Sequence, residues 1–148
     1  MIGAIHSIYV ASNHGDEQNE VTDARLTVAV GLEGDRHANS GVVTLIELEA
    51  ILEFNTRTGL EITAGQARRN IVTQGISLNG LVGKQFWVGD ILLEGFELCE
   101  PCASLGKRLA TDRVSGEAVV KAFVHSAGIR AFVRGTGTVT PGNPIAES

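Results

Sequence analysis

The chain has 148 residues, the size of one ordinary domain, which leaves no room for two complete catalytic domains. Hydrophobic residues make up 43 % and charged residues 20 %, excluding a disordered or fibrous polypeptide, and a formal net charge of −5 excludes a global basic field that would draw the chain to nucleic acid or anionic lipid. Eighteen Gly against three Pro, with 5 % aromatic residues, predict many turns joining short strands.

The opening Met1-Ile2-Gly3-Ala4-Ile5-His6-Ser7 has no basic leader region, and no apolar run reaches the length of a membrane span, so a cytoplasmic location is expected. Ile2 to Ala11 alternates unevenly and predicts a strand, followed by a loop over Ser12 to Glu20. Val21 to Val30 alternates better and predicts a second strand, and Gly31 to Ser40 gathers Gly, Asp, His and Asn into a loop. Thr44-Leu45-Ile46-Glu47 matches a capping box and predicts a helix from there to about Thr58. Its apolar stripe would be Leu45, Leu48, Ile51 and Leu52, and Gly59 would stop it.

Gln85-Phe86-Trp87-Val88, then Gly89-Asp90, then Ile91 to Leu98 predict a tight hairpin whose long second strand ends at Cys99. Short helices follow over Ala103 to Leu109 and Gly116 to Ser126. Gly128 to Gly135 and Thr136 to Ile145 then predict a closing pair of strands. With no repeat or linker, the expectation is one domain over residues 1–148, mainly β, built as a compact barrel with a few peripheral helices.

Three stretches can carry chemistry. Cys99-Glu100-Pro101-Cys102 holds both cysteines of the chain where a strand ends and a helix begins. A Pro at the first helical position would put Cys102 in the first turn, where free amides favour a thiolate, while Glu100 beside it would oppose that effect. A redox pair, half of a zinc site, a single reactive thiol and two inert small hydrophobes all fit this spacing. The place of the pair in a strand-rich chain speaks against the first, and the lack of a second CxxC or HxxxH speaks against the second. Gly31-Leu32-Glu33-Gly34-Asp35-Arg36-His37 offers donors for anionic oxygens on a loop able to approach a ligand closely, or else a solvated turn. Arg68-Arg69-Asn70 offers guanidinium forks and an amide, or else a surface basic pair. Nine of the twelve basic residues are Arg, the side chain suited to forked recognition of a small anion. Neither a phosphate loop nor a dinucleotide fingerprint is present.

In order along the chain, Gly34-Asp35-Arg36-His37, Arg69-Asn70-Ile71-Val72-Thr73-Gln74-Gly75-Ile76, the segment Leu81 to Gly95, Cys99-Glu100-Pro101-Cys102 and the closing Gly128 to Gly135 and Val139 to Ile145 resemble the MOSC domain, the C-terminal domain of molybdenum cofactor sulfurases. The resemblance implies a barrel fold and a key cysteine that carries sulfur as a persulfide or contacts molybdenum. It places that role on Cys102, catalytic and metal-contacting, with Cys99 as an extra thiol. It also implies that Asp35, Arg36, His37, Arg69 and Asn70 surround the molybdenum cofactor.

Larger proteins of the family join this domain to a pyridoxal-phosphate-dependent cysteine desulfurase module, which does not fit in this chain, so a separate desulfurase is the expected sulfur source. Pyridoxal phosphate itself is not expected here, since no Schiff-base context surrounds Lys84, Lys107 or Lys121. Two other functions follow from different classes. One is a molybdenum-dependent component acting on N-hydroxylated compounds with an electron-transfer reductase as partner; the other is a binding module with inert cysteines. Nucleic acid and membrane are not expected as partners.

Overall fold

The computed structural model describes residues 2–148. The described residues form eleven strands and three α-helices, in chain order β1 (Ile2–Val10), β2 (Asn19–Val21), β3 (Ala24–Thr27), β4 (Gly31–Leu32), β5 (Val42–Glu47), α1 (Leu48–Thr58), β6 (Ile71–Gln74), β7 (Gln85–Val88), β8 (Ile91–Leu98), α2 (Ala103–Leu109), α3 (Gly116–Phe123), β9 (Ile129–Val133), β10 (Gly137–Val139) and β11 (Pro144–Glu147). Seven of the strands close into a barrel in the order β11-β7-β8-β9-β5-β6-β1, and the pairing of β1 with β11 completes the ring. β5 and β6 run parallel, and the other barrel neighbours run antiparallel. β2 pairs with the far end of β1, and β10-β3-β4 form a small second sheet.

Two apolar cores explain the uneven alternation of the sequence. The barrel interior is filled by Ile5, Ile8, Val43, Leu45, Ile71, Phe86, Val88, Leu93, Ile129, Ala131, Val133 and Ile145, all buried. Tyr9, Ile46 and Val72 point the other way and meet the helices through Ile51, Phe54, Leu105, Leu109, Val119 and Phe123. The Phe54 and Phe123 rings stack at 3.9 Å between centroids. β1, β5 and β6 are thus buried on both faces, which replaces strict alternation with near-continuous apolar runs. In β1 a register shift between Ile5 and Ser7 breaks the period further.

The hairpin at Gly89-Asp90 and the helix over Ala103 to Leu109 form as the sequence predicts. Elsewhere the structure differs. Thr44 does not cap a helix: it lies inside β5, and α1 begins after Glu47. The run Val42-Val43-Thr44-Leu45-Ile46 satisfies its backbone through ladders to β9 and β6, which outweighs the local capping pattern. The buried residues of α1 are Ile51 and Phe54, while Leu52 is 56 % exposed. Gly59 does end the helix, in the left-handed conformation at φ 77°, with its amide donating to Asn55 O.

Val21 to Val30 is not one strand. It divides into the end of β2 and β3, which belong to different sheets, and Val28 is left exposed. α3 ends at Phe123 rather than Ser126. The predicted closing pair does not pair with itself: β9 sits between β8 and β5, β10 joins the small sheet, and β11 fills the gap between β7 and β1. No described helix is long and apolar enough to cross a membrane.

Candidate functional site

Strand registers set Cys99 beside Gly128 at one rim of the barrel, and the bond from Arg69 Nε to Ala127 O brings the residue 68–70 loop to the same place. Leu98 at the end of β8 pairs with Ile129 at the start of β9, Ile129 pairs with Leu45, and Leu45 pairs with Ile71 at the start of β6. Cys99 and Gly128, the residues next to two of these strand ends, therefore lie side by side, while Asn70 falls on the other side of the row, beside Thr44. Gly128 closes the row. Its φ of 99° and the Leu45 carbonyl packed against it leave no room for a side chain, and its own carbonyl accepts the Cys99 amide at 2.8 Å. Gly31 enters the adjoining loop with φ 87°, where a Cβ would lie 2.6 Å from Val42 O.

Asp35 is buried and its carboxylate is committed to the frame. Oδ1 accepts the Ala11 amide at 3.1 Å and Oδ2 accepts the His37 amide at 3.3 Å, pinning the loop to the end of β1. Asn70 is equally committed. Its Oδ1 accepts from the Thr44 amide (3.2 Å) and hydroxyl (3.1 Å), its Nδ2 donates to Tyr9 O (3.2 Å), and its own amide donates to Thr44 Oγ1 (2.9 Å). The hydroxyl that the sequence suggested as a helix cap thus bonds to Asn70, which in turn ties β5 to β1.

The arginines beside these two residues have donors to spare. The Arg36 side chain is 10 % exposed; its Nη2 donates to Arg68 O at 3.4 Å, and its Nη1 lies 3.7 Å from Asp35 Oδ1, too long for a hydrogen bond. That Nη1 is buried without a partner. Arg69 donates Nε to Ala127 O at 2.8 Å. Burial pushes the Arg69 guanidinium's pKa down; the Cys99 thiol opposes this, Arg130 adds to it, and the Cys102 thiol and Arg36 act in the same two senses more weakly. Arg69 therefore stands within electrostatic reach of both thiols and two other guanidiniums.

Cys99 is buried at the end of β8, and burial raises its thiol pKa against the pull of Arg69 and Arg130. Cys102 is exposed. It occupies the N-cap of α2 rather than the first turn, so Pro101 lies one residue before the cap. The Cys102 carbonyl accepts from Gly106 N at 3.1 Å, and its thiol makes no capping bond. The Glu100 carboxylate is held by His125: Oε1 accepts the His125 amide at 2.9 Å, and Oε2 lies 3.0 Å from Nδ1.

His37 has its pKa lowered, first by burial and then by Arg36, against Asp35, with His14 and Arg130 adding to the fall. Its ring meets that of His14 edge-on at 5.1 Å. The rim thus gathers Arg36, His37, Arg69 and the two thiols, while Asp35 and Asn70 hold the loops behind them. Arg68 points elsewhere, donating Nη1 to Asp16 O.

Arg130 belongs to this field too, although it carries no signal of its own in the sequence. It stands on β9 as an ordinary alternating polar residue and pairs with Glu97 at 3.2 Å. Only the register of β9 against β8 reveals its place.

The chain belongs to the MOSC domain family, whose profile matches residues 34–146. That family is associated with molybdenum-cofactor binding and sulfur chemistry. Among solved structures, the chain is similar to the YUAD protein from Bacillus subtilis, with 17 % identity and a TM-score of 0.87 over 98 % of this chain and 94 % of that one. It is also similar to YiiM from Geobacillus stearothermophilus (16 % identity, TM-score 0.75, 99 % and 75 % covered) and to YiiM from Escherichia coli (20 %, 0.74, 100 % and 70 %). At these identities the likeness speaks to the fold. No curated protein matches.

No group of three or more His, Cys, Asp and Glu side chains that would cage a metal ion occurs among the described residues. A metal at Cys102 would need to bring its other ligands with it, as an organic metal cofactor does. The unpartnered Arg36 Nη1 suits the anionic part of such a group.

Proposed function

We propose that the protein is a sulfur carrier that works through Cys102 and serves a molybdenum-cofactor or metal-sulfur centre. The observation that carries this reading is an exposed thiol set within electrostatic reach of the largely buried Arg69 guanidinium, with the other thiol of the chain enclosed. The thiolate is the form of a cysteine that attacks sulfur.

In the carrier step, the Cys102 thiolate attacks the terminal sulfur of a cysteine persulfide on a separate desulfurase. A new S–S bond forms as the donor's breaks, and the donor cysteine leaves as a thiolate that takes up a proton. One sulfane sulfur moves and nothing is oxidised overall. Delivery repeats the step with the acceptor's nucleophile attacking the Cys102 persulfide.

Molybdenum cofactor, when bound, supplies a thiophilic metal as the sulfur's destination. Arg36 and Arg69 hold its anionic groups, and Asp35 and Asn70 keep the two loops in register. His37, its pKa lowered, is neutral near neutral pH and accepts a proton from an approaching thiol.

Incubation with a cysteine desulfurase and cysteine tests the reading. The expected result is a mass gain of one sulfur atom mapped to Cys102, lost in Cys102→Ser and kept in Cys99→Ser. Wild-type protein that gains no sulfur overturns it.

The unpartnered Arg36 nitrogen favours a second reading, in which the cofactor stays bound and an electron-transfer reductase is the partner. Molybdenum retained in stoichiometric amount after co-expression with cofactor synthesis, and lost from Arg69→Ala, would mark that version.

A further inference from the structure

A cavity of about 400 Å³ lies beside the rim, enclosed by the residue 17–20 segment, the 3₁₀ turn Ala64–Ala67, Tyr9 on β1 and the end of α2. None of Arg36, His37, Arg69, Cys99 and Cys102 lines it. Its volume suits a small organic molecule.

The wall carries an unexplained polar group. Gln18 lines the cavity, and both its Oε1 and its Nε2 are shut away from solvent without a hydrogen-bond partner. A primary amide closed off in this way has lost its water and gained nothing in return. Turning this side chain into the cavity would set a donor and an acceptor side by side before whatever enters it.

Two guanidiniums also line the cavity. Arg68 donates Nη1 to Asp16 O at 2.6 Å and Arg108 donates Nη2 to Gly15 O, so each fork is fixed by one bond to the overlying segment and keeps further N–H groups. Glu17 and Glu20 also line the cavity and balance the two positive charges. The unspent N–H groups of the forks, not net charge, would take a single carboxylate, and the two acidic side chains disfavour a polyanion.

We propose that this cavity is a second ligand site, taking a compact monocarboxylate that also bears a cis-amide edge of the lactam or imide kind. The carboxylate meets Arg68 and Arg108, and the edge makes paired hydrogen bonds with the Gln18 amide. Occupancy restores the partners that Gln18 lacks and ties the residue 13–20 segment down over the ligand. The site does not depend on the chemistry of Cys102.

Titration of the full chain with three probes tests it, by calorimetry and by amide chemical shifts. Orotate carries both the carboxylate and the imide edge, uracil the edge alone, and benzoate the carboxylate alone. Orotate is expected to saturate, bind about tenfold more tightly than either partial probe, and shift the amides of Thr63 and Gln66. Gln18→Met should bring orotate down to the level of benzoate, and Arg108→Gln to that of uracil, with both variants melting as the wild type does. The proposal fails if orotate does not saturate at millimolar concentration or if the three probes bind equally. It also fails if Gln18→Met leaves orotate binding unchanged, or if the shifted amides are those of Arg36, His37 and Cys102. Each of these results is readable whether or not Cys102 takes up sulfur.

Discussion

Two loops meet at the rim, and each sets a committed polar residue beside an arginine with unspent donors. In one, Asp35 gives its carboxylate to the amides of Ala11 and His37, while Arg36 keeps a buried nitrogen free. In the other, Asn70 joins Tyr9 and Thr44, while Arg69 gives one bond, from Nε to Ala127 O. Residues adjacent in sequence thus divide the labour: one makes the frame, its neighbour keeps donors unspent. A polar residue in a functional motif is therefore no evidence by itself of ligand contact. Its hydrogen-bond partners decide.

The comparison breaks most visibly at Asn70. Asn70→Ala leaves the Thr44 amide and Tyr9 O unpaired in a buried seam and is expected to cost about 3 kcal/mol in urea unfolding. Asp35→Ala frees the Ala11 and His37 amides and removes the charge nearest Arg36, with an expected cost of about 2 kcal/mol by the same measurement. Arg69→Ala leaves only Ala127 O unpaired and should cost about 1 to 2 kcal/mol, less than Asn70→Ala; on the proposed second reading it would also lose molybdenum. If Arg69→Ala unfolds the protein as Asn70→Ala does, the division collapses.

Two smaller effects sharpen it through pH. Burial raises the Cys99 pKa in the folded chain, so its contribution to stability is intact below the unfolded thiol's pKa and is lost as pH rises through the alkaline range. Cys99→Ala should remove that alkaline decline from a series of melting curves. His37 is shifted the other way. Its folded pKa is lowered, so the unfolded chain binds the proton more readily, and stability falls as pH drops below about 6.5. His37→Gln should flatten the slope between neutral and mildly acidic pH. An unchanged slope would mean that His37 titrates freely and does not share the buried field of Arg36.

Much of this was legible in the sequence, for reasons that can be named. The hairpin at Gly89-Asp90, the stop at Gly59 and the helix after Pro101 are local signals, and the structure follows them. Thr44 misled because TxxE has the same spacing in a capping box and in a strand, and only the ladders from β6 and β9 choose between them. The commitment of Asp35 and Asn70 was unreadable because their partners, Ala11, Thr44 and Tyr9, lie 24 to 61 residues away. Arg130 and Gln18 were silent for the same reason: one is defined by strand register, the other by what fails to meet it.

The placement of β11 has a kinetic consequence. This four-residue strand pairs with β7 on one side and with β1 on the other, matching Ile145 to Val88 and Ala146 to Ile2. Until it docks, two strand edges stand open, and the pairing that closes the ring joins nearly the most distant residues of the described chain. Loop closure of that length is slow to nucleate, and open edges invite pairing between copies. During synthesis neither edge can be covered before residues 144–147 emerge, so the nascent barrel is most prone to aggregation just before its last strand arrives.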